Sequence, residues 1–132
     1  DDNAYVRRAT AWSLANYDNQ IVLKPLINSL KNDVSAVRLW SSSSLAEIGS
    51  VSSSNAELAA EQLLISLKID NEPGVRSNCI WSLCRLYEKL NNTLQESFVD
   101  ECTKIALFDK EPSVMEEAKT ALDSMGMQGF YN

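Results

Sequence analysis

One pattern governs what this chain can fold into. Four nine-residue segments align without gaps: "VRRATAWSL" from Val6, "VRLWSSSSL" from Val37, "VRSNCIWSL" from Val75 and "VMEEAKTAL" from Val114. Each opens on valine and closes on leucine, and the valines lie 31, 38 and 39 residues apart. Self-similarity at such a period marks a helical repeat array, in which each unit buries its apolar face against its neighbours.

This register decides the meaning of the four consecutive serines, Ser41 to Ser44. Alone, a serine run reads as a flexible linker. Aligned, Ser41 matches Thr10, Cys79 and Ala118, and Ser44 matches Ser13, Ser82 and Ala121. The run fills small-residue positions of a repeated helix and is not a linker. At about 100° per residue, the valine and the positions four, seven, eight and eleven after it form one stripe centred near 20°. Position eleven holds Tyr17, Ile48, Leu86 and Met125. The stripe is apolar or small throughout, as an amphipathic helix requires. Serine is a mediocre helix former, so close approach of a neighbouring helix is expected to compensate.

Second periodic segments lie between these: "IVLKPLINSLKND" from Ile21, "AELAAEQLLISLKID" from Ala56 and "LQESFVDECTKIALF" from Leu94. Ser54 with Glu57, Thr93 with Glu96 and Ser113 with Glu116 have capping-box spacing. Gly49 and Gly126 stand where helix C-caps are expected. Pro73 and Pro112 precede the repeated valine by two residues, in a helix's first turn. No segment sustains period-two alternation. The expected fold is all-α: about seven helices in stacked hairpins, forming a single domain over residues 1–132.

Composition narrows the function. A net charge of −6 repels phosphate backbones. No apolar run approaches the ~20 residues of a membrane span, and no basic-then-apolar leader opens the chain. It begins Asp-Asp, as expected of a processed chain or of a piece of a longer one. The three cysteines, Cys79, Cys84 and Cys102, lack CxxC spacing. They point to a reducing, cytoplasmic setting rather than to a disulfide framework.

Helix pairs carrying "PLINSLKND" followed by "VRLWSSSSL" resemble HEAT repeats, and the short "VRRATAWSL" units are similar to the HEAT-like repeats of E/F-type phycobilin lyases. The resemblance covers essentially the whole chain. It implies a right-handed α-solenoid in which a turn aspartate pairs with the arginine of the next helix. Asp1 with Arg7 and Asp70 with Arg76 match at a spacing of six, while Arg38 has Asn32 there and Asp33 one residue closer. In the last unit Asp109 faces Met115, as expected of a repeat where the ladder ends.

The chain has no histidine. Ser-His-Asp and Cys-His catalysis and His-containing metal sites are therefore impossible within it, and no glycine-rich loop resembles a phosphate cradle. Cys79 falls on the buried stripe, whereas Cys84 points away from it and is expected to be accessible. Acidic neighbours such as Glu116 and Glu117 read as solvated surface.

Tryptophan resists a bland reading. Trp12 and Trp81 share the position six after the valine, at about 240°, away from the buried stripe. Ser43 stands between them in the register, and Arg8 and Arg85 fall nearby on the same helices. By the resemblance to HEAT repeats this side of the second helix lines the concave surface of the solenoid, so these residues, with Cys84, form the candidate groove. Trp40, at about 300°, is expected to pack between repeats. Two functions follow. In the first, implied by the resemblance, the chain is a lyase-type subunit. It handles a phycobilin for attachment to, or removal from, a phycobiliprotein cysteine, often with a second subunit. The His-Cys element of isomerising members is missing. In the second, the chain is a non-catalytic scaffold that needs no cofactor and grips a partner protein.

Overall fold

The computed structural model describes Ala4, Val6, Arg7 and residues 20–127. Among them lie six α-helices: α1 (Gln20–Asn32), α2 (Ser35–Gly49), α3 (Ser53–Ile69), α4 (Pro73–Leu86), α5 (Asn92–Phe108) and α6 (Pro112–Ser124). A 3-10 turn, Tyr87–Lys89, follows α4. Ala4, Val6 and Arg7 are helical as well; the rest of the first repeated segment, with Leu14, lies outside the described residues. No strand occurs among the described residues. Consecutive helices pack as hairpins, α1 on α2, α3 on α4 and α5 on α6. The odd helices also contact one another in sequence, as do the even ones. The result is a two-layered helical solenoid with its core between the layers.

The repeat register explains that core. Val37, Val75 and Val114 are buried, as are Leu45, Leu83 and Leu122, whereas Val6, the opening valine of the first segment, is 43% exposed, against the expectation. Ser41, Ser42 and Ser44 are buried too, at 0%, 0% and 5% exposure. Ser42 donates to the Leu39 carbonyl at 2.7 Å, and Ser82 of α4 donates to the Ser42 carbonyl. Small side chains on α2 thus bring α4 close enough to bond its backbone. Gly49, the last residue of α2, serves the same end: a Cβ there would sit 3.1 Å from Leu86 Cδ2 and 3.2 Å from Ala59 Cβ.

The helix ends depart from the sequence expectation. The N-cap of α3 is Ser52, whose side chain accepts from the Asn55 N–H, and that of α5 is Asn91, which accepts from the Leu94 N–H. Ser54 and Thr93 lie two residues inside these caps, already helical. Ser113 lies within α6, whose N-cap is Glu111. Pro73 and Pro112 do open α4 and α6. Gly49 is helical, and Ser50 caps α2. Gly126 adopts φ 76° after α6. There the Met127 N–H reaches the Leu122 carbonyl at 2.8 Å and the Gly126 N–H reaches that of Asp123 at 3.1 Å, a Schellman motif.

The charge ladder is present but runs between repeats. Arg7 pairs with Asp33, Arg38 with Asp70 and Arg76 with Asp109, at 2.6, 2.7 and 2.9 Å. The expected pairing at a spacing of six is corrected for Asp70 and Arg76: Arg76 Nη1 donates to the Asp70 carbonyl at 2.9 Å, while the Asp70 carboxylate receives Arg38. Likewise Arg38 Nη1 takes the Asp33 carbonyl at 2.8 Å. Asp109 does not face an empty position, since Arg76 reaches it from the repeat before. Asp1 lies outside the described residues. Arg38 and Arg76 therefore each tie their own turn to the turn of the next repeat, holding the even helices in register.

Candidate functional site: the outer face of the even helices

The repeat position fixes which side of α2, α4 and α6 faces outward. Positions two, three, six and ten after the valine point away from the core, and they carry the large exposed side chains of this layer. Leu39 and Trp40 on α2 are 38% and 39% exposed, and Trp81 on α4 is 44% exposed. Trp40, expected to pack between repeats, is thus left partly open to solvent rather than enclosed. Its counterpart in the register on α4 is Asn78. Asn78 spends its amide N–H groups on the Leu39 carbonyl at 3.1 Å and on Ser43 Oγ at 2.8 Å, joining α4 to α2.

Arg85 lies one helical turn after Trp81, and its guanidinium sits 5.2 Å from the centre of the indole ring. It also bonds Glu47 Oε1 of α2 at 2.5 Å. Beside Trp81 opens a hollow of about 330 Å³ lined by Ser43, Ser77, Asn78, Trp81 and Glu117. Ser43, Trp81 and Arg85 of the sequence-derived groove are therefore brought onto one face. Trp12 and Arg8 lie outside the described residues.

Cys84 does not join them. It is half-buried and packed against the core, and burial pushes its thiol up to about 11. Its expected accessibility is corrected. Ser124 of α6 hydrogen-bonds the thiol and Glu117 of the same helix acts on it, so α6 covers the position. Cys79 and Cys102 are fully buried, and desolvation raises both thiols well above their ordinary range. All three cysteines are free.

Sequence reasoning missed Glu117. Assigned to solvated surface, it is half-buried and forms a wall of the hollow. Its signal was present in the register: Glu117 occupies the same repeat position as Trp40 and Asn78. Among the described residues no group of acidic, cysteine or histidine side chains could hold a metal, and no helix is long and apolar enough to cross a membrane.

Stacked helical hairpins, a repeated Val-Leu core and an arginine–aspartate ladder define a helical-repeat protein. The sequence profile of the family described as HEAT repeats matches residues 1–84, and the chain belongs to that family. No curated protein matches it. The architecture continues past the matched span: α5 and α6 keep the buried Val114 and Leu122, and Arg76–Asp109 carries the ladder across.

Proposed function

We propose that the chain is a non-catalytic HEAT-repeat scaffold that grips a partner protein on the outer face of α2, α4 and α6. One observation carries this reading: Leu39, Trp40 and Trp81 stand exposed together at outward positions of adjacent helices of one layer. Exposed aromatics grouped on one face are the usual anchors of protein interfaces. The same reading sets the protein in a reducing, cytoplasmic compartment, which its three free cysteines suit.

A second reading is favoured by the Trp81–Arg85 pair. A flat indole beside a guanidinium suits a flat, propionate-bearing phycobilin, as in a lyase-type subunit working on a phycobiliprotein. A photo-crosslinking residue placed at Ser43, with a control at Leu58 on α3, tests the first reading in cells. The expected result is partner adducts from position 43, lost on Trp81→Ala, and few from position 58. Equal adducts from both positions would overturn the scaffold face. A Trp81-dependent change in bilin absorbance, without protein adducts, would select the second reading.

A further inference from the structure

We infer that the hollow beside Trp81 takes a basic side chain, lysine or arginine, from the partner protein. This deepens the partner-binding reading and rests on it. Among the described residues the outward positions of α2, α4 and α6 hold three carboxylates, Glu47, Glu116 and Glu117, against one cation, Arg85. Arg85 is committed to Glu47, and Glu116 is 3.4 Å from Lys119. Glu117 has no ion pair among the described residues, and it is the carboxylate that borders the hollow.

The neutral groups point the same way. Asn78 uses its N–H donors inside the protein, so what its amide has left for a ligand is an acceptor oxygen. An anionic ligand would find the one cation of the face already engaged. An aliphatic side chain would desolvate Glu117 without giving it a partner, which is unfavourable. A lysine or arginine satisfies Glu117 by a charge-assisted hydrogen bond and lies against an indole. The ring already attracts one guanidinium, that of Arg85. The net charge of −6 favours a basic partner segment at longer range.

Selection of a random-peptide phage library on the folded chain tests this, with Trp81→Ala as counter-selector. Glu117→Gln serves as a second counter-selector that keeps the ring and the fold. The expected result is Trp81-dependent binders enriched in lysine or arginine. Replacing that basic residue by glutamine should weaken binding about fivefold or more at low salt, and Glu117→Gln should weaken it similarly. Trp81-dependent binders without basic enrichment, or binders indifferent to both changes, would overturn the basic anchor while leaving the partner-binding face standing. Absence of any Trp81-dependent binder would overturn both.

Discussion

Ser41 is a fully buried hydroxyl whose Oγ has no hydrogen-bond partner. It sits there because the position must be small, not because the position needs a hydroxyl: Cys79 and Ala118 stand in the same place on α4 and α6. Ser41→Ala should therefore stabilise the protein by up to ~1 kcal/mol, removing an unpaired buried group and improving helix propensity. Ser41→Leu should cost ~1–3 kcal/mol by overpacking. Urea unfolding of the two variants checks both signs, and a segment indifferent to leucine would mean that α4 does not approach there. The exposed indoles make the opposite case. Fully buried aromatics lose ~3–5 kcal/mol on truncation to alanine. At 44% and 39% exposure, Trp81→Ala and Trp40→Ala should each lose only about 1–2 kcal/mol by that measure. A loss near the fully buried value at either site would make that ring a core residue and remove it from the docking face.

At the level of the helices, the Val-Leu register was legible because spacing alone fixes which residues share a face. Trp81 pointing outward followed directly from it. What the register could not say was what covers a side chain, because that depends on the neighbouring helix. Trp40 is left exposed, and Cys84 is half-buried because Ser124 of α6 reaches it. The caps were misread for a related reason. S/T-x-x-E occurs three times with the serine or threonine already inside the first turn, and for two of them the working cap lies two residues earlier, at Ser52 and Asn91. Alanine at Ser52 or Asn91 should cost ~1 kcal/mol, the usual value of a lost N-cap. The same change at Ser54 or Thr93 should cost little. Thermal unfolding of the four variants separates the two assignments. Gly126→Ala should also destabilise by ~1–2 kcal/mol, since φ 76° is a left-handed conformation that a Cβ disfavours.

The ladder belongs to the whole molecule. Its arginines were visible in sequence, but their carboxylate partners were not, because those lie 26, 32 and 33 residues ahead rather than six behind. Local spacing brought Arg76 to the carbonyl of Asp70, and only the stacking of repeats brings it to the carboxylate of Asp109. Two consequences follow. The hydrogen bond from Arg7, outweighing the opposing desolvation, holds the Asp33 carboxyl below its ordinary 3.8. A carboxyl whose folded pKa is depressed contributes stability above its unfolded pKa and loses it as pH falls through the folded one. Stability measured by urea unfolding should therefore decline as pH drops below about 3.8, and Asp33→Asn should flatten that part of the curve. An unchanged acid profile in Asp33→Asn would place the titration elsewhere. The second consequence concerns the joint between the hairpins α3–α4 and α5–α6. Arg76 and Asp109 have side chains only 12% and 10% exposed, so Arg76→Ala leaves a largely buried carboxylate without its cation. The expected cost is ~1.5–3 kcal/mol, the range for a charged hydrogen bond. Because stability in a solenoid is nearly a sum over repeats and the interfaces between them, the loss should fall on α5 and α6 first. Hydrogen exchange should quicken in those two helices while α2 and α3 keep their protection. A uniform rise in exchange along the chain would instead mean that the repeats unfold as one unit and that the ladder does not set their coupling.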